Sequence, residues 1–118
     1  MLHKGAPGRA ALLEHFAPMA QAAARLGHPP ETVGTVSGAA EGVGPVGFSA
    51  ALLPLLSSDS RYSDVLRTQR ERVHQQPPLA DAYYNQSLLL FGQGWDEQRY
   101  RFEKDGRLVP NWVDACKK

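Results

Sequence analysis

The strongest constraint on how this 118-residue chain can fold is a pair of stretches too apolar for the helices of a small bundle. One is 48–56, Phe48-Ser49-Ala50-Ala51-Leu52-Leu53-Pro54-Leu55-Leu56. The other is 82–91, where Tyr84, Leu88 and Phe91 share one helical face while Leu89 and Leu90 lie on others. A helix in a small bundle buries a single apolar stripe, so helices apolar on several faces ask for more neighbours than one short chain holds. Between them, 60–75 has Tyr62, Val65, Leu66, Gln69 and Val73 on one face and Arg61, Asp64, Arg67, Glu71 and Arg72 elsewhere, the pattern of a helix with a wet side. Alternation of inner and outer helices predicts an all-α, layered architecture. The missing neighbours would be other subunits or further sequence, and the chain by itself is expected to self-associate through its unpaired inner helices.

In the segment 10–26, Leu12, Leu13, Phe16, Met19, Ala20, Ala23 and Leu26 recur every three or four positions, which predicts a helix. Pro18 removes an amide donor within it, so a kink or a break is expected there, with Pro18 opening a second helix. Gly27 supplies the stop. Before the helix, 3–9 reads as loop. The segment 31–47, with Gly34, Gly38, Gly42, Gly44 and Gly47, reads as a long ordered loop carrying short extended pieces around 33–36. Ser57-Ser58-Asp59-Ser60 breaks the first apolar helix and can cap the next, and Asp81 can cap the helix 82–91, which Gly92 and Gly94 are expected to stop. Residues 99–103 alternate polar and apolar at period two. Asp105-Gly106 is a hairpin turn signal and 107–109 can return as partner strand, giving a short C-terminal β-hairpin.

Thirteen Lys and Arg against twelve Asp and Glu leave no basic surplus for phosphate backbones, which argues against nucleic acid as a partner. No apolar run approaches the ~18 residues that cross a bilayer, and 1–8 lack the apolar core of a signal peptide. With one cysteine, Cys116, neither an internal disulfide nor a thiolate metal site can form.

Gly42-Val43-Gly44-Pro45-Val46-Gly47 fits the dinucleotide fingerprint G-x-G-x-x-G before a helix, but no buried strand precedes it and no parallel strand follows, so a structural glycine loop is the better reading. Ser49, with Asp64 and His74 downstream, loosely imitates a serine hydrolase order. No strand leads into that serine, and a packing or capping role outweighs catalysis. His3, His15, His28 and His74 form no i, i+4 pair, so no metal site is expected. The aromatics are more informative. Phe48 stands where the glycine loop meets an inner helix, and Tyr83-Tyr84-Asn85 opens the next one. A tyrosine offers a flat apolar face and a hydroxyl, the combination that suits a sugar ring; the competing reading is that these rings are core.

Three blocks carry a resemblance: Gly44-Pro45-Val46-Gly47-Phe48-Ser49-Ala50-Ala51-Leu52-Leu53-Pro54, then Ala82-Tyr83-Tyr84-Asn85-Gln86-Ser87-Leu88-Leu89-Leu90-Phe91-Gly92, then Gly94-Trp95-Asp96-Glu97-Gln98-Arg99-Tyr100-Arg101-Phe102 with Gly106 and Leu108 after it. In this order and spacing the chain resembles the C-terminal part of glycoside hydrolase family 8, within it the periplasmic endo-β-1,4-glucanases that accompany bacterial cellulose synthases. The resemblance implies that 1–118 is the C-terminal portion of a single catalytic domain, an (α/α)6 toroid whose inner helices line a groove for β-1,4-glucan. It also implies an inverting hydrolysis without a cofactor, and a parent enzyme in the periplasm or outside the cell. The family's general acid and general base lie on segments before this one, and Met1-Leu2 resembles the end of the helix that carries the base. None of Glu14, Glu31, Glu41, Asp59, Asp64 or Asp81 matches either motif, so the expected catalytic set in this chain is empty. Tyr83, Tyr84 and Phe48 are the expected substrate contacts. A non-catalytic helical interaction protein that keeps the same scaffold is the alternative.

Overall fold

The computed structural model describes residues 3–112, so Met1, Leu2 and Cys116 lie outside the described residues. Helix α1 (Arg9–Leu26) is followed by a two-residue strand pair, β1 (Thr32–Val33) and β2 (Ala40–Glu41). Helix α2 (Val46–Ser57), a 3-10 turn (Ser60–Tyr62), α3 (Ser63–Gln75) and α4 (Tyr83–Asp96) come next, and a hairpin of β3 (Tyr100–Phe102) and β4 (Leu108–Pro110) closes the order.

α2 is the centre. Gly47 lies against Asn85 and Ala50 against Gly92, so α2 and α4 run in the same direction. Ser49 meets Gln69 of α3 while Leu56 shares a core cluster with Leu66, so α3 runs the opposite way. Ala20 of α1 joins Leu53, Leu56 and Leu66 in that cluster, and the Gly27 carbonyl accepts a hydrogen bond from Gln69 Nε2, which makes α1 run with α3. A second cluster joins Val46, Ala50 and Val73, with Leu89 of α4 packed on it. The two apolar helices are thus neighbours of one sense, with the amphipathic helices antiparallel to them. The apolar excess of α2 has a local cause, because α1, α3 and α4 all pack on it. That of α4 is only partly satisfied, since Leu90 is 67% exposed and Phe91 63% exposed.

Several expectations are corrected. α1 does not break at Pro18; it is one helix of 18 residues with the proline inside. Pro18 and Glu14 are both exposed, so the Glu14 carbonyl that loses its intrahelical amide partner can turn to water and the helix need not end there. α4 does not end at Gly92 but continues through Gly94 to Asp96. Both glycines answer to packing: a β-carbon at Gly92 would collide with the Ala50 carbonyl, and one at Gly94 would press on the Tyr100 ring. Asp81 does not cap α4; its carbonyl receives the Tyr83 amide, and Gln86 Nε2 reaches back to the Leu79 and Ala80 carbonyls instead. The extended pieces of the glycine loop sit at 32–33 and 40–41 rather than around 33–36, paired Thr32 with Glu41 and Val33 with Ala40.

Other signals read as expected. Gly27 takes the left-handed conformation with φ 79° and closes α1 by donating to Ala23. Asp59 caps the 3-10 turn, accepting from the Arg61 amide at 2.9 Å. Gly106 has φ 87° in the turn between β3 and β4. That hairpin is held to α4 by the Tyr100 hydroxyl, which donates to the Phe91 carbonyl at 2.6 Å.

Candidate substrate-binding rim

The starts of α2 and α4 meet side by side because the glycine loop that delivers α2 is pinned from three directions. The Gly44 amide donates to the Pro29 carbonyl at 2.8 Å, and no side chain fits at Gly44, where a β-carbon would meet Phe48 and the Pro30 carbonyl. From α3, the Arg72 guanidinium donates to the Gly44 carbonyl at 2.8 Å and to Ser49 Oγ at 2.6 Å, with a longer contact to the Pro45 carbonyl at 3.5 Å. Ser49 Oγ donates in turn to Gln69 Oε1 at 2.8 Å, and Gln69 Nε2 donates to the Gly27 carbonyl at 2.9 Å. Burial pulls the Arg72 pKa down, since its partners are neutral oxygens with no carboxylate among them. Arg72 therefore does not belong with the wet face that the sequence pattern of α3 assigned to it.

The third tie comes from α4. α2 has Pro45 at its N-cap position and no side-chain cap of its own, which leaves orphan amides at its start. Asn85 supplies the missing acceptor: its Oδ1 receives the Gly47 amide at 3.2 Å across the helix junction. With the Gly44, Gly47 and Phe48 amides all bonded within the protein, the G-x-G-x-x-G segment has no cradle to offer a pyrophosphate. Ser49 is fully buried in its hydrogen bonds, whereas Asp64 and His74 are exposed, so no hydrolase triad is assembled.

Of the expected substrate contacts, Tyr83 is 82% exposed and Tyr84 is 65% exposed at the first turn of α4, so neither is a core residue among the described ones. Phe48 is half-buried in the first turn of α2, with its ring beside Gly44. The three thus stand at two adjoining helix starts. Asn85 and Arg72, which hold these starts together, were not singled out by sequence. The available signal was Pro45 ahead of α2 without a capping side chain, which requires an acceptor from elsewhere. The described carboxylates include Asp59, whose bond to Arg61 holds it below the usual carboxylate range, opposite to what a general acid requires. Among the described residues no three His, Cys, Asp or Glu side chains gather as a metal site, and no helix is long and apolar enough to cross a membrane.

Comparison with known proteins identifies the family. Residues 1–98 match the family described as glycosyl hydrolases family 8, and the chain belongs to it. It is 51% identical to an endoglucanase of Salmonella typhi and 47% identical to one of Escherichia coli K12, in each case over 98% of this chain and 30% of the relative. The crystal structure of an endo-1,4-D-glucanase from Vibrio fischeri superimposes on 96% of this chain with a TM-score of 0.86 at 37% identity, and this chain accounts for 33% of it. The chain spans about 30% of the length of the curated relatives it matches.

Proposed function

We propose that this chain is the C-terminal part of an endo-β-1,4-glucanase, forming one section of an (α/α)6 toroid and one end of its glucan groove. In the complete domain an inverting hydrolysis takes place, in which a carboxylic acid protonates the leaving oxygen and a carboxylate activates water about 6.5–9.5 Å away. Neither carboxylate belongs to this section, whose part is to hold the sugar. The observation that carries this reading is the pair of exposed tyrosines at the α4 start, standing on a junction that Asn85 and Arg72 fix from both sides. Exposed rings on a preorganised backbone suit stacking on pyranose faces, and their hydroxyls suit sugar oxygens. The enzyme works without a cofactor, in the periplasm or outside the cell. The alternative role, a non-catalytic helical scaffold for a protein partner, draws on an apolar groove that Leu12, Phe16 and Met19 of α1 line with Leu52 and Leu55 of α2.

The test is kinetic. Joined to the remaining portion of a family 8 endoglucanase, Tyr84→Phe is expected to lower kcat/KM by a hydrogen bond of ~0.5–1.5 kcal/mol, and Tyr84→Ala to lower it further with little change in melting temperature. The 118-residue chain alone is expected to release no reducing ends from carboxymethylcellulose. Unchanged kinetics in both tyrosine variants would remove the rim from the substrate path. Hydrolysis by the pure chain, lost on replacing one of its carboxylates, would place catalysis here instead.

A further inference from the structure

The Asn85 side chain has two ends, and the structure accounts for one of them. Oδ1 is spent on the Gly47 amide, at 3.2 Å, which fixes which way the amide plane faces. Nδ2 carries two protons and has no protein acceptor among the described residues. It is not buried either, because every buried side-chain nitrogen and oxygen described has a partner. An oriented donor pair that is not sealed from water therefore stands in the same first turn of α4 as Tyr83 and Tyr84, bonded across to the residue that precedes Phe48.

We infer that Asn85 is a substrate-binding residue of the rim, its Nδ2 donating to a hydroxyl or ring oxygen of a β-1,4-glucan unit stacked at Tyr83 or Tyr84. The inference rests on the glucan-groove reading and deepens it. Stacking on a tyrosine selects the flat face of a pyranose but not its rotation about the ring normal; a fixed amide donor in the same helix turn can select that rotation. The capping bond matters for the same reason, because an amide free to flip would offer the sugar either a donor or an acceptor. Gly47 takes part passively: a β-carbon there would stand 2.7 Å from Asn85 Oδ1 and displace it.

Asn85→Asp separates the two duties. The carboxylate still accepts from Gly47 and, lying in the first turn of α4, is favoured by the helix dipole, so the melting temperature is expected to hold or rise. The donor pair is gone. Titrating the full chain with cellopentaose should give saturable shifts of the Asn85 Nδ2 proton signals in the wild type. Affinity should fall about fivefold to tenfold in Asn85→Asp, the fold-change of one net hydrogen bond. Asn85→Leu should lose the same affinity and also melt earlier, having lost the cap. Wild-type or tighter binding by Asn85→Asp, alongside weakened binding by Tyr84→Ala, would overturn the role of Asn85 and leave the rim intact. Failure of the wild-type chain to bind cellopentaose at millimolar concentration would overturn the rim and the inference together.

Discussion

Arg72 shows how one side chain can be mistaken when only periodicity is read. Its position on α3 is polar by pattern, yet a guanidinium reaches far enough to leave that face and collect Gly44, Pro45 and Ser49. Its planar array of donors is what allows several acceptors to be bound together, which a single ammonium cannot do. Arg72→Met is therefore expected to destabilise the chain by roughly 1.5–3 kcal/mol, the range for hydrogen bonds to a charged group, and Arg72→Lys to recover less than half of that. Urea denaturation of the three proteins checks this, and full rescue by lysine would show that the charge alone suffices. Asp59 and Ser49 were easier to read because a short side chain reaches only its own turn or its contact face. Their capping and packing duties follow from position.

At the level of elements, the departures from expectation at the α4 glycines share one cause. Gly92 and Gly94 carry helix-stop signals, and each is overridden by what lies next to the helix. For Gly92 the neighbour is the α2 backbone itself, so the helix gives up intrinsic propensity, ~1 kcal/mol relative to alanine, for close approach. Gly92→Ala, normally a helix-favouring change, is expected to destabilise this protein by about 1–3 kcal/mol or more, since the opposing atoms are backbone and cannot rotate away. A thermal melt decides it, and a stabilised variant would mean that α2 and α4 are not held this close. By contrast, Gly27 and Gly106 end their elements as expected, because both sit at positive φ, where the requirement is local.

At the scale of the whole molecule, apolar side chains are left open on several elements, and two helices carry adjacent ones. Leu12, Leu13, Phe16 and Met19 of α1 line a groove of about 400 Å³ with Leu52 and Leu55 of α2, and Leu90 and Phe91 stand open on α4. Contiguous apolar patches on a soluble monomer seldom exceed a few hundred Å² without a partner, and this chain accounts for only 33% of the Vibrio fischeri structure it superimposes on. The chain alone is accordingly expected to self-associate or to bind a hydrophobic dye. Sedimentation across a concentration series would show it, and Leu90→Lys with Phe16→Lys should reduce association while leaving helix content unchanged. A compact, dye-negative monomer with a sharp cooperative melt would mean that these faces need no cover.

The mostly helical fold, the capped turn at Asp59, the C-terminal hairpin and the family were all legible in the sequence, because each rests on local chemistry: periodicity, capping residues, a Gly at positive φ, and blocks of residues in a shared order. Tyr83, Tyr84 and Phe48 were legible as aromatic residues at helix starts. What only the tertiary structure decided is that these two starts adjoin, that Asn85 of one helix caps the other, that Arg72 turns inward, and that α4 runs through its glycines. Apart from the Gly94 contact with Tyr100, each of these depends on atoms more than twenty residues apart in the chain, and no local propensity carries the distance between them.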